Sequence, residues 1–453
     1  MSRQPNIVLI VPDQMRGDAF GSAGQPAVLT PNLDALAAGG AWFTRAYSPC
    51  PSCIAARRCL LSGRTAFHNG LVGYKEGVTW KPPFTLPGLL AAAGYQSVHI
   101  GRTMHQHPHS NRFGYTQVFD EQAYLEFIAA ELPGGRRQLS AHGIGVNGWP
   151  ARPWHVAERF HQTNWAVDRT LDFLEARRGK RPLFLSVGFS APHPPLTPPA
   201  FYFDRYLRQA LPAPVVGEWA EPPGAHRRVE SERVHLTGEA LRSCQAGYFG
   251  LINHLDDQLS RLLSGLSGLS GETYVFFLSD HGEMLGDHYL FRKCFPYEGA
   301  ARIPFLLCGP GIPAGFVSDQ PVGLEDVLPT ALELAGLTIP GAVDGRSLLP
   351  LLRGQPAWRE YYHGEHAKCY ASEHGNHFLT DGRAKYCWYA QSGREQLFDL
   401  VNDPHETRDL AGDGARVSVW RKRLIQELKK RPEGFTDGKR LRAGRPYPAV
   451  VAA

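Results

Sequence analysis

The chain has 453 residues, 43% of them hydrophobic and 20% charged, enough apolar material for a large core, which excludes a disordered or fibrous chain. Its 48 basic and 43 acidic residues leave a net charge of +5 with no like-charge block, so no nucleic-acid arm is read and the surplus favours anionic substrates only weakly. No apolar stretch reaches the roughly 18 residues of a membrane span and the run at residues 7–11 is too short for a signal-peptide core, so the chain reads as a cytoplasmic protein with no membrane partner.

Residues 6–11 read as a first strand ending at Pro12-Asp13, and residues 31–38 as a helix with Thr30 as N-cap and Gly39-Gly40 as its stop. A helix at 85–93, stopped by Gly94, precedes a strand at 96–100. Helical spacing at 165–176 is followed by a strand at 182–188. A long helix is expected at 240–263, then strands at 273–278 and 303–307 and a helix at 324–335. Alternating strands and helices mean a parallel sheet with crossover helices. From about residue 350 to 358 the texture changes. Alternating stretches at 377–380 and 385–389 and an amphipathic helix near 417–430 read as a smaller antiparallel sheet with a helix. The fold class is therefore α/β: a large, mostly parallel mixed sheet flanked by helices, and a smaller C-terminal antiparallel sheet plus helix. The division falls at 1–355 and 356–453. The basic, Pro/Gly-rich tail from Arg431 is expected to be loose or to pack on a neighbour, and a homo-oligomer is carried as a partner expectation.

Four expected strands end in chemically useful residues: Asp13-Gln14, Gly101-Arg102 leading to His105, Ser190 to His193, and Ser279-Asp280-His281-Gly282-Glu283. In open α/β sheets the ligand site lies beyond the carboxyl ends of the strands. Each such residue alone is more often a cap or a structural side chain; four strand ends together are hard to dismiss. Asp13, Asp280 and His281, with the Gln14 carbonyl, form a mostly oxygen donor set that suits Ca²⁺, Mg²⁺ or Mn²⁺ better than Zn²⁺.

Eight cysteines in a chain this long are not a disulfide framework. Cys50-Pro51-Ser52-Cys53 is a C-x-x-C, but no second pair completes a zinc site and no strand is obvious before it to make a redox motif. A short helix is expected to begin just after Cys53 and stop at Gly63. That puts Cys53 at a helix N-terminus, where amide N–H groups and the dipole favour an anion, with Arg57 four residues on along the same face. Cys59, Cys244, Cys308 and Cys387 read as core residues.

The segment from Cys53 through Ala55, Arg57, Leu60 and Ser62 to Gly63 resembles the type I sulfatase signature C-x-P/A-x-R-x-x-L-x-S/T-G of the alkaline phosphatase superfamily. The resemblance extends to the first strand with Asp13, to Thr30-Pro31-Asn32-Leu33-Asp34, and to the run from Ser279 to His288. It also takes in Asp344-Gly345-Arg346-Ser347-Leu348-Leu349-Pro350 and Leu397-Phe398-Asp399-Leu400. It implies a sulfuric ester hydrolase in which a maturation enzyme, a partner of the unfinished chain, oxidises Cys53 to formylglycine. One divalent metal, Ca²⁺ in the first place and Mn²⁺ or Mg²⁺ otherwise, would be held by Asp13, Gln14, Asp280 and His281. Many relatives carry Asp and Asn at the positions of Gln14 and His281, so this site is less negative than theirs. Arg57 would hold the formylglycine, Lys293 the sulfate and leaving-group oxygens, and His193 would donate the proton to the departing alcohol. Arg102 and His105 match a family G-K-x-H with Arg at the Lys position and one extra residue. His105 would serve as the base that expels sulfate.

The substrate implied is a small-molecule or carbohydrate sulfate ester, its alcohol a sugar, aryl or alkyl group. Two rivals stand beside it: a phosphodiesterase or phosphonate monoester hydrolase using the same site, and a non-catalytic binding protein with unmodified Cys53. Glu365-His366, His374 and Asn376 read as turn or surface residues or as the substrate entrance. No role is derivable for His107, His109, Trp149 or Trp154.

Overall fold

A computed structural model describes residues 4–451 apart from 26, 104, 225–227 and 356–357. β1 (Asn6–Asp13) is buried at every position, which is why its sequence is a continuous apolar run: a strand inside a parallel sheet is covered on both faces. Seven further strands join it: β2 (Ala41–Phe43), β3 (Gln96–Gly101), β4 (Gln117–Phe119), β5 (Leu183–Pro192), β6 (Thr273–Leu278), β7 (Phe305–Cys308) and β8 (Phe316–Ser318). Their spatial order is β8-β2-β7-β6-β1-β5-β3-β4, and β7 alone among these strands runs against the rest. This is the mostly parallel mixed sheet that the alternating pattern implies.

The helices flanking it include α1 (Pro31–Gly39), α2 (Cys53–Ser62), α3 (Gln162–Ala176) and α4 (Gly238–Ser267). Val8 and Ile10 pack on one face of the sheet with Val167, Ile252 and Leu255 of α3 and α4. Ile7, Leu9 and Val11 pack on the other with Ala56, Leu60 and Leu61 of α2. Four strands further along the chain, β9 (Tyr362–His366), β10 (Asn376–Thr380), β11 (Ala384–Tyr389) and β12 (Glu395–Asp399), form the small antiparallel sheet in sequence order. It is backed by α5 (Gly414–Leu428). Ile54, Ala55 and Cys59 of α2 share a cluster with Leu379, Trp388 and Leu424. Helix α2 is thus wedged between the two sheets, and all ten of its residues are buried.

Several expectations shift for identifiable reasons. The strand expected at 303–307 begins at Phe305, because Pro304 cannot donate to a ladder; Arg302 and Ile303 pair instead with Ala46 and Tyr47 in a three-stranded sheet. Thr30 does not cap α1; its hydroxyl accepts from the Gly21 amide at 2.8 Å. The helix expected at 324–335 opens as a 3₁₀ turn and becomes α-helical at Val327–Leu334. β2, β4 and β8 are three residues each, too short to show a period. The tail packs on its own chain: Arg431 donates twice to Glu365 at 2.7 and 2.8 Å, Tyr447 donates to the same carboxylate at 2.6 Å, and Val450 bridges to Leu71. Residues 1–3 of the leading segment, Met104 before His105 and residues 356–357 at the expected division lie outside the described residues. No helix among the described residues is long and apolar enough to cross a membrane.

Candidate active site

The site forms where β1, β3, β5 and β6 end and α2 begins. Asp13 closes β1, and Gln14 follows it at a φ of 70°. Gly101 ends β3 at a φ of 100°, where a Cβ would sit 2.0 Å from the Gly188 carbonyl oxygen, so only glycine lets the chain turn there and send Arg102 inward. His193 follows β5, and Asp280 and His281 follow β6. Cys53 is the first residue of α2, which stops at Gly63 (φ 65°) as the amide of Gly63 donates to the Cys59 carbonyl. The first amides of a helix have no intrahelical partner and point at whatever sits on Cys53.

Both carboxylates divide their oxygens. Asp13 Oδ2 accepts from Arg57 Nη2 at 3.2 Å and Arg102 Nε at 2.6 Å, while its Oδ1 lies 3.6 Å from Cys53 Sγ and 3.7 Å from His281 Nε2. Asp280 Oδ2 accepts from Arg57 Nε at 2.7 Å; its Oδ1 accepts from the amides of Gln14 at 3.1 Å and His281 at 3.0 Å. His281 Nδ1 is 2.9 Å from the Gly282 carbonyl oxygen, which assigns the proton to Nδ1 and leaves the Nε2 lone pair facing Cys53 Sγ at 3.1 Å. Asp13, Cys53, Asp280 and His281 each offer a ligand atom within 4.8 Å of the others, and all four are buried. Gln14 adjoins this cluster: its Oε1 accepts from Lys293 Nζ at 2.7 Å and its Nε2 donates to Glu283. Two carboxylates, an imidazole with its lone pair turned inward and an amide carbonyl fit a divalent cation.

Charge at the site leans positive. Arg57, Arg102 and Lys293 face Asp13 and Asp280 in a buried pocket, and burial pushes the third acid, Glu283, toward its neutral form, so the balance favours an anion before any metal is added. Burial would raise the Asp13 carboxyl, but the charges of Arg102, Arg57 and Lys293 outweigh it and hold Asp13 well below the usual range. Burial, then Asp13, pushes the Cys53 thiol up to about 12, so the unmodified side chain is a thiol and not a thiolate. Lys293 Nζ lies 3.4 Å from that sulfur. Burial works against its charge, and Cys53, Asp13 and Asp280 overcome it, raising its pKa. Burial, then Arg102, brings His105 down to about 3, so this imidazole is neutral. A cavity of about 620 Å³ opens beside Arg102 and His105, lined also by Thr103, Asn111, Tyr115 and Glu121. A larger one of about 880 Å³ is lined by Arg16, Trp42 and Arg302, and none of the expected site residues borders it.

The structure thus brings Asp13, Gln14, Cys53, Arg57, Arg102, His193, Asp280, His281 and Lys293 into one hydrogen-bonded group, with His105 at its edge. It also supplies supports that sequence reasoning missed. Gln106 accepts from Arg58 Nε at 2.9 Å and donates to the Ile54 carbonyl at 3.0 Å, tying the first turn of α2 to the loop after β3. Arg58 adjoins Arg57 in the signature, but nothing in the spacing couples it to residue 106. Glu283, which orients Gln14, lies in plain view in the run after β6. Glu365, His366 and Asn376 are buried rather than at a surface entrance, and Glu365 is spent on Arg431 and Tyr447. His107 and His109 face each other at 5.8 Å and bond to no group of the site.

Residues 5–337 match the sulfatase family. The chain belongs to that family and is a sulfuric ester hydrolase. Residues 286–433 match the C-terminal region of N-sulphoglucosamine sulphohydrolase. This sulfatase is 39% identical to an arylsulfatase of Clostridium perfringens, covering 98% of each chain. It is 30% identical to a multifunctional alkaline phosphatase superfamily protein of Trinickia caryophylli, over 95% of this chain and 98% of the other. Its fold is similar to that of a phosphonate monoester hydrolase of Agrobacterium radiobacter, with a TM-score of 0.78 at 23% identity, covering 94% of this chain and 96% of that one.

Proposed function

We propose that this sulfatase hydrolyses a sulfate monoester of a sugar, aryl or alkyl alcohol, with Cys53 matured to formylglycine by a separate enzyme. One divalent cation, Ca²⁺ ahead of Mn²⁺ or Mg²⁺, is held by Asp13, Gln14, Asp280 and His281. The observation that carries the reading is Cys53 itself: it opens a helix at 3.1 Å from His281, 3.4 Å from Lys293 and 3.6 Å from Asp13.

When present, the cation adds charge that draws the sulfate oxygens and acidifies the attacking hydroxyl. The matured side chain supplies a hydrated aldehyde, whose two hydroxyls give a nucleophile and then a route to expel sulfate by re-forming the carbonyl. The rest is done by this chain's own residues. Arg57, Arg102 and Lys293 neutralise the sulfate oxygens and the charge that develops as the ester breaks. His193 hands the departing alcohol oxygen the proton that Lys293 shares with its Nε2. His105, held neutral, takes the second hydroxyl proton. Residues 1–355 carry this chemistry in our reading, and residues 356–453 form an appended subdomain that backs α2.

A second reading, hydrolysis of a phosphodiester or phosphonate monoester, is favoured by Gln14, which removes one negative charge from the metal site. Rates on an aryl sulfate and an aryl phosphodiester, measured on the same preparation, separate the two; a preference for the diester overturns the first reading. The mass of the peptide carrying Cys53 tests maturation. Only intact thiol, even with a maturation enzyme co-expressed, would count heavily against formylglycine catalysis and favour the reading of a binding protein with unmodified Cys53.

A further inference from the structure

Lys293 stands between two residues with positive φ, Arg292 at 71° and Cys294 at 79°. Such backbone persists only where its surroundings over-determine it. Here the main domain holds it from one side, with the Arg292 carbonyl accepting from the Met284 amide at 2.8 Å and the Cys294 amide donating to the Pro51 carbonyl at 3.0 Å. The small sheet and its loops hold it from the other. Asn376 Nδ2 donates to the Cys294 carbonyl at 3.2 Å, the Phe295 ring packs against Tyr370 and His374, and the Arg292 guanidinium lies 4.5 Å over the Tyr370 ring. At the centre of this clamp Cys294 Sγ lies 3.1 Å from Cys369 Sγ, two thiols 75 residues apart in sequence. Cys294 is buried and Cys369 is partly exposed.

We propose that Cys294 and Cys369 form a redox-active dithiol that a peroxide closes to a disulfide, and that closure slows turnover by tying the segment carrying Lys293 to the small sheet. Cys369 is the thiol that peroxide reaches first, because it is the more exposed. Its hydrogen bond with Cys294, then the charges of Arg292 and Lys293, outweigh burial and lower its pKa, which favours the reactive thiolate. The Cys369 sulfur attacks one peroxide oxygen and the O–O bond breaks, giving a sulfenic acid and a hydroxide that leaves as water with the thiol proton. The Cys294 sulfur then attacks the Cys369 sulfur, the S–O bond breaks, and the hydroxyl leaves as a second water with the Cys294 proton. Two electrons pass from the sulfurs to the peroxide, and a dithiol reductant reverses the change. Turnover responds because Lys293 must sit within hydrogen-bond reach of Gln14 and His193, and small displacements of such groups are costly to rate.

The test treats active, matured enzyme with hydrogen peroxide, maps disulfides by mass spectrometry of a non-reducing digest, and assays aryl sulfate hydrolysis before and after dithiothreitol. We expect a peptide pair joining Cys294 to Cys369, and a fall in turnover of about tenfold that the reductant restores. Cys369→Ser should keep the basal rate and lose both the cross-link and the reversible inhibition. Absence of that peptide pair, or a cross-linked enzyme with an unchanged rate, overturns the proposal. The rate effect rests on the role read for Lys293, whereas the cross-link does not. If no preparation is active before oxidation, the proposed function fails and not the dithiol, which the peptide map then decides by itself.

Discussion

Lys293 Nζ lies 2.9 Å from His193 Nε2, while His193 Nδ1 lies 2.6 Å from the carbonyl oxygen of Pro194. The Nδ1 proton is therefore spent on the backbone, and Nε2 accepts from the lysine. Burial, then the Lys293 charge, holds the His193 pKa well below its ordinary value. In the proposed reaction, the proton for a leaving group at Nε2 would come from a hydrogen-bonded lysine–imidazole pair rather than from a free imidazolium.

A donor of this kind matters most when the alcohol leaves poorly. His193→Ala should slow alkyl and sugar sulfates by about 10²- to 10⁴-fold and activated aryl sulfates far less. The measurement is kcat/KM across a series of sulfates graded by the acidity of the alcohol. An equal loss across the series would remove His193 as the donor and leave it a sulfate contact.

Arg57 and Asp280 make the second test. Their 2.7 Å pair is fully buried, and removing one member of such a pair costs about 3–5 kcal/mol because the other is left uncompensated. Asp280→Ala should show that loss in urea unfolding. Asp280→Asn keeps an oxygen to accept from Arg57, so it should retain most of the stability while activity falls by about 10²-fold or more. If Asp280→Asn is as unstable as Asp280→Ala, the carboxylate is chiefly structural.

Much of this site is legible in the sequence for a physical reason. β1, β3, β5 and β6 are apolar runs whose ends must face the same edge of a parallel sheet, so Asp13, Arg102, His193 and Asp280 converge whatever the loops do. Cys53 and Arg57 are linked by helix geometry alone. What escapes notice depends on packing between distant segments. Cys294 meets Cys369, Arg58 meets Gln106, and Glu365 turns from an expected surface residue into a buried partner of Arg431. No local period records these meetings, and a three-residue strand such as β2 has no period to read.

Metal removal is expected to abolish activity without unfolding the chain. Asp13 and Asp280 keep Arg57 and Arg102 as partners on their Oδ2 atoms, so the stripped site is not left as bare buried acid. Chelation should lower the unfolding temperature only by the binding free energy of the ion, and far-ultraviolet circular dichroism should be unchanged. Re-addition of Ca²⁺, Mn²⁺ and Mg²⁺ in parallel, with the rate recovered by each, ranks the cations. Full activity after exhaustive chelation, with no metal by elemental analysis, would falsify the metal site.

The junction between the two sheets carries a pH-dependent group of its own. Lys385 Nζ lies 2.6 Å from Glu298 Oε1 and 3.1 Å from Glu406 Oε1, and the Glu298 amide donates to Glu406 Oε2 at 2.7 Å. One lysine serves two acids. Glu298 is held low, at about 2: burial opposes this, and Lys385, Arg302 and Arg45 prevail. Glu406 rises from its ordinary 4.5 to about 7, by burial first and then by the charge of Glu298, against the pull of Lys385. The folded chain therefore binds a proton on Glu406 that the unfolded chain has already released above pH 4.5. The stability this adds is complete below 4.5 and is lost as pH rises through about 7. Glu406→Gln carries a neutral amide at every pH and lacks that loss. Its unfolding temperature should match or fall below the parent at pH 5 and gain on it by pH 8. Parallel curves for the two proteins between those values would show that Glu406 ionises in the folded chain as it does in the unfolded one.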